Sequence, residues 1–171
     1  MMLESTKARI VEEAKHVQND VLYSAKGHYE SANYWSNFHL TLGIPIAITS
    51  AVAGASALAQ FDNHNIIAGI LALIVATLTG VTTFLNPNEK ASSHQIVGNK
   101  YNALRNKART FYNLDTIVES SEQELVEQLK DLIRQRDELN EESPPVSDWA
   151  YRRAKKKIVD KRLKHPESSA S

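Results

Sequence analysis

Cysteine is absent, which excludes disulfides, thiolate metal sites and cysteine nucleophiles together. Net charge is absent as well: 20 Lys and Arg balance 20 Asp and Glu, so the chain as a whole favours neither an anionic nor a cationic partner. There is no glycine-rich phosphate loop, no G-x-S-x-G elbow and no nucleophile–base pattern. The six histidines, at 16, 28, 39, 64, 94 and 165, show no metal-ligand spacing with one another or with carboxylates. These absences read as a protein that is not an enzyme and needs no cofactor. The 171 residues amount to one domain.

Charge is also missing from two long runs, Leu40–Phe61 and Ile66–Leu85, which only Asp62-Asn63-His64-Asn65 separates. As a helix, either run covers about 30 Å, the thickness of a bilayer's hydrocarbon core. The flanks, 39 residues before and 86 after, are too short to bury such a pair inside a soluble core. The pair therefore reads as a transmembrane helical hairpin. Small-x-small patterns at Ala55–Ala57 and Ala57–Ala59 resemble signal-peptide cleavage sites, but a long polar segment precedes them and a second span follows at once. Every Lys and Arg lies outside the connecting loop, which places both termini in the cytoplasm by the positive-inside rule. Tyr34, Trp35 and Phe38 stand where an interfacial aromatic belt belongs. No ionisable side chain lies within either run, so a proton relay has no candidate.

What is present is helical periodicity. The N-terminal segment, residues 1–39, reads as a cytoplasmic helix whose stripe Ile10, Ala14, Val17 and Val21 needs a neighbour to cover it. The first span, 40–61, holds Gly43, Ala47, Ala51, Ala55 and Ala59 at four-residue intervals, the pattern that lets helices approach closely in lipid. Thr49, Ser56 and Gln60 run along its other side, and Pro45 sits where it is tolerated early in the span or kinks it. After an external loop, 62–65, the second span (66–85) puts Ala68, Ala72, Ala76, Thr79 and Thr83 on one side and large aliphatics on the other. The aliphatic side is expected to face lipid. Two readings stand for the small side: Ala68, Ala72 and Ala76 pack against the first span, or Thr79 and Thr83, with Thr49, Ser56 and Gln60, line a pore between subunits.

Residues 86–142 read as cytoplasmic helices, basic and then acidic. Pro87 marks the membrane exit, Asn88 is a candidate cap with Glu89 in its first turn, and His94 and Tyr101 follow as gating candidates. Val97, Tyr101, Leu104, Ala108 and Phe111 have nearly coiled-coil spacing. Ser121 with Glu124 forms a capping box ahead of the seam Leu125, Leu129, Leu132 and Leu139, which Arg136 interrupts. From Glu119 to Glu142 nine acidic residues face three basic ones. A last helix, 147–164, reverses that balance through Arg152, Arg153, Lys155, Lys156, Lys157, Lys161 and Arg162. Pairing with the acidic helix, within or between subunits, is its leading role, binding the cytoplasmic leaflet comes next, and nucleic acid or nucleotide is the lesser alternative. The tail, 165–171, reads as disordered.

The order of these features resembles the SLATT domains, two-transmembrane effectors associated with SMODS nucleotidyltransferases and SLOG sensors. The likeness lies in Tyr34-Trp35-Ser36-Asn37-Phe38, Leu42-Gly43-Ile44-Pro45 through Gly54, and Ile67-Ala68-Gly69-Ile70-Leu71-Ala72. It continues through Thr83-Phe84-Leu85-Asn86-Pro87-Asn88-Glu89-Lys90, His94 and Tyr101-Asn102-Ala103-Leu104-Arg105. The resemblance implies an effector of a bacterial anti-phage system that forms a homo-oligomer in the cell inner membrane and opens a pore on infection. It brings no catalytic residues. With no SLOG or other sensor domain recognisable in the sequence, the trigger is expected from a partner protein or signal in trans, or from a ligand that binds the helical flanks directly. The fold expected is all-α: a two-helix membrane hairpin whose long cytoplasmic helices form a coiled-coil-like, oligomeric bundle. The alternative is a membrane-anchored scaffold whose cytoplasmic helices recruit a partner. A third reading is a sensor of lipid or nucleotide centred on the basic helix.

Overall fold

The stripe that opens at Ile10 continues through Ala25 and His28, and no proline stands between it and the first apolar run. In a computed structural model that describes residues 2–60, 62–116 and 121–164, the two form a single helix, α1, Met2–Leu58. The separate N-terminal helix and first span read from the sequence are thus one element, with Pro45 deep inside it rather than near its start. Proline there has no N–H for the carbonyl of Thr41. The helix ends at Leu58 rather than Phe61, and the Ala59 N–H closes its last turn on the Ser56 carbonyl at 3.3 Å. Phe61 and the tail, 165–171, lie outside the described residues.

The second span is α2, His64–Leu85. Asn63 starts it in the left-handed region (φ 61°), its carbonyl accepting from the N–H groups of Ile66 and Ile67 at 3.0 and 3.1 Å. Asn86 ends it in the same way (φ 43°) and also begins α3, Pro87–Thr110, by accepting from Lys90 N–H at 3.2 Å. The break therefore falls on Asn86. Pro87 takes the first helical position, where its missing N–H costs nothing, and Asn88 lies inside the helix instead of capping it. Asparagine suits both junctions because it tolerates positive φ better than any branched residue.

A π-helical turn, Phe111–Asp115, then buries the adjacent Phe111 and Tyr112. Helix α4, Glu122–Glu142, opens with the capping box: Ser121 Oγ accepts from Glu124 N–H, and the Glu124 carboxylate accepts from Ser121 N–H. Helix α5, Asp148–Lys164, follows Pro144-Pro145, and the Ser147 carbonyl accepts its first helical bond at 3.0 Å. There is no strand among the described residues.

The chain divides into two compact units, residues 1–31 with 93–171, and residues 32–92. The first is a helical bundle. Ile10, Ala14, Val17, Val21 and Ala25 of α1 pack with Tyr101, Leu104, Ala108 and Phe111 and with Leu125 and Leu132 of α4. Ala150, Ala154 and Ile158 bury one face of α5. The second unit contains two helical segments long and apolar enough to cross a membrane. No residue of α2 is buried within the chain. Tyr34, Trp35 and Phe38 form a ring cluster with centroids 5.4–6.3 Å apart, and the Lys90 ammonium lies 4.5 Å from the Trp35 ring.

Candidate functional site

Within the bundle, α1 and α3 bring two histidines together. His28 follows Ala25 on the buried stripe of α1, and His94 stands one heptad before Tyr101 on α3. Their Nδ1 atoms are 2.9 Å apart and the side chains only 3% and 7% exposed. One ring must donate its proton to the other, so at least one is neutral. Burial, and secondarily the facing His94, pushes the His28 pKa down to about 4; burial also lowers that of His94. The Tyr101 ring stacks on His28 at 5.5 Å, and its hydroxyl donates to Asn140 Oδ1 of α4 at 2.8 Å. The pair thus sits in a polar line through three helices.

Two residues beyond His28, the buried Glu30 holds α5. Its carboxylate accepts from Arg153 Nε at 3.0 Å and from Lys157 Nζ, while Arg162 donates to Asn19 at 2.7 Å. Within the single chain, no ion pair joins the basic α5 to the acidic α4 among the described residues. Arg153, Lys157 and Arg162 of α5 turn to α1, whereas in α4 Arg134 pairs with Asp131 and Glu138, and Arg136 pairs with Asp137 and with Asp20 of α1. The physical reason is that Glu30 is a buried carboxylate, which needs counter-charges far more than the solvated acids of α4 do. Arg152, Lys155, Lys156 and Lys161 remain exposed.

Gly98 and Gly27 permit this packing. A Cβ on Gly98 would meet the Tyr29 ring at 2.8 Å, and one on Gly27 would meet Val146 at 3.1 Å. The glycines of the spans differ: nothing lies within 4 Å of a Cβ built at Gly43, Gly54, Gly69 or Gly80.

In the membrane unit, burial marks the face each span uses within the chain. On α1 the less exposed stripe is Leu42, Ile46, Thr49, Ala53 and Ser56; on α2 it is Ala68, Leu71, Val75, Leu78 and Thr82. Thr49 and Ser56 therefore lie on the intra-chain face, and Gln60 is exposed just past the end of α1. Of the small series, Gly43 and Ala59 are half-buried and Ala47, Ala51 and Ala55 are exposed. Ala72, Ala76, Thr79 and Thr83 form an exposed face beside the seam, and Leu73 and Phe84 occupy the far side. The large aliphatics expected to face lipid are thus divided, because the single chain seals its hairpin with Leu71 and Leu78 beside Ala68 and leaves Ala72 and Ala76 outside. Ser50, Thr77 and Thr82 donate their hydroxyls to carbonyls of their own helices, which satisfies them in an apolar medium. Of the exit residues, Pro87 is buried, whereas Glu89 is exposed and accepts from the Asn86 side chain.

His94 and Tyr101 therefore meet at one place, whereas the span residues group by face. Sequence reading missed His28 and Glu30. The available signal was that the Ile10 stripe, extended by helical steps, arrives at His28. No group of three or more potential metal ligands occurs among the described residues.

No curated protein and no solved structure matches the chain. The family described as SMODS and SLOG-associating 2TM effector domain family 4 matches residues 11–166, nearly the whole of it. The chain belongs to that family of two-transmembrane effector domains.

Proposed function

We propose that this protein is a pore-forming or membrane-disrupting effector of a bacterial anti-phage system, not an enzyme. Several copies assemble in the inner membrane with their termini in the cytoplasm, and a sensing partner opens the assembly in trans. Two spans cannot enclose an aqueous path, so the mechanism needs several subunits. The observation that supports it most is the face of Ala72, Ala76, Thr79 and Thr83, which the hairpin leaves exposed while sealing itself with other residues. On this reading the alanines admit a neighbouring copy and the two threonines meet water. The family's description as an effector associated with SMODS and SLOG proteins fits a trigger supplied by another protein. Gating is a population shift: the partner binds best to the bundle arrangement that goes with the open hairpin.

Conductance of the full chain in planar bilayers, together with its activating partner, tests this. Thr79→Leu with Thr83→Leu should reduce conductance at least tenfold while assembly size is retained. Unchanged conductance rejects these residues as pore lining. If toxicity survives replacement of both spans by an unrelated hairpin, the protein is instead a membrane-anchored scaffold.

A further inference from the structure

Within the bundle, α5 packs on the side of α1 that faces away from the core. Asn19, Tyr23 and Glu30 meet Arg162, Tyr151 and the pair Arg153 and Lys157 of α5. These three lie about 180° around α1 from the stripe Ile10, Ala14, Val17 and Val21, which packs with α3 and α4. The outer faces of α4 and α5 therefore look out on different sides of the bundle.

Those faces are opposite in charge. On α5, away from the buried Ala150, Ala154 and Ile158, stand Arg152, Lys155 and Lys156, all exposed. On α4, away from the buried Leu125 and Leu132, stand Glu127, Asp131, Glu138 and Glu141, with Arg134 among them and Lys130 beside them. Among the described residues the three α5 cations have no ion pair, and neither do Glu127, Glu141 and Glu142. Glu141 and Glu142 also end α4, where the helix dipole is negative and the last turn holds no basic residue. These carboxylates call for a cation from outside the chain.

We infer that the basic outer face of α5 docks on the acidic outer face of α4 in a second copy, Arg152, Lys155 and Lys156 against Glu127, Glu138 and Glu141. A second copy is the occupant because it carries the complementary face, and the zero net charge of the chain lets repeated stacking use up both faces. Copies that share one orientation in a membrane can repeat such a head-to-tail contact around a ring. Isolated surface ion pairs contribute little, so the contact draws its strength from several pairs removed from water together. The inference rests on the proposed assembly of several copies, and it names a surface outside the hairpin that joins them.

Charge exchange on the full chain in detergent micelles tests it, with assembly followed by light scattering. Arg152→Glu with Lys156→Glu, and separately Glu127→Lys with Glu141→Lys, should each raise the concentration of half-assembly about tenfold. Mixed in equal amounts, the two variants should recover wild-type assembly, since each then meets opposite charge on its neighbour. All four positions are exposed, and far-UV circular dichroism confirms that the helices persist. Wild-type assembly that neither pair of substitutions alters refutes the docking and leaves the several-copy reading standing. A wild-type chain that is monomeric at every concentration refutes that reading itself, and the docking with it. Loss confined to the α5 pair assigns the basic face to anionic lipid or another protein and overturns the contact, as does any loss that mixing fails to restore.

Discussion

A histidine on the buried stripe of a helix must find a partner or remain neutral, and His28 does both against His94. Free in an unfolded chain, each ring titrates near the ordinary histidine value of 6.5; packed here, both are held below it, His28 at about 4. The unfolded chain therefore binds more protons between those values, and stability is full above pH 6.5 and falls as the pH drops through the interval. For His28 alone the loss amounts to about 3 kcal/mol. Thermal unfolding of the wild type should show that decline, and His28→Phe should flatten it; an unchanged slope in the variant contradicts the assignment. At the nearby glycines the cost is steric. Gly98→Ala pushes a Cβ into the rigid Tyr29 ring and should destabilise by about 1–2 kcal/mol in chemical denaturation, after allowing for alanine's better helix propensity. Gly27→Ala, against a Val146 methyl group at 3.1 Å, should cost less. Neither the histidine contact nor the glycine clearances were legible in the sequence, because each depends on a residue between 66 and 119 positions away.

Among elements, periodicity revealed which faces are buried but not what buries them. The stripes of α1, α3 and α4 and the Ser121–Glu124 capping box were readable because each is a local pattern. The partner of α5 was not. Counting charges matched it with the acidic α4, whereas a single buried carboxylate, Glu30, decides its place. Continuity of α1 was equally hidden, since an amphipathic stripe and an apolar run look like two elements even when no break lies between them. Glu30→Gln should therefore free α5 selectively: amide exchange across 148–164 should accelerate about tenfold, with a global loss of about 1–2 kcal/mol for removing one partner of a half-buried ion pair. Faster exchange in α4 but not in α5 would assign the anchor wrongly.

For the molecule as a whole, the apolar runs announced a membrane hairpin, and membership of a two-transmembrane effector family agrees with them. Which side chains the hairpin keeps for itself was not evident. The small side of the second span leaves two readings open, packing on the first span or lining a pore; in the single chain Ala68 joins Leu71, Val75 and Leu78 on the seam, and Ala72, Ala76, Thr79 and Thr83 stay outside. In the proposed assembly this outside face is where copies meet. Single cysteines at Ala76 and, on the far side of α2, at Leu73 test it directly in native membranes under oxidation. Disulfide-linked dimers from Ala76→Cys, with few or none from Leu73→Cys, are the predicted result. Equal cross-linking at both positions, or none at Ala76, contradicts it.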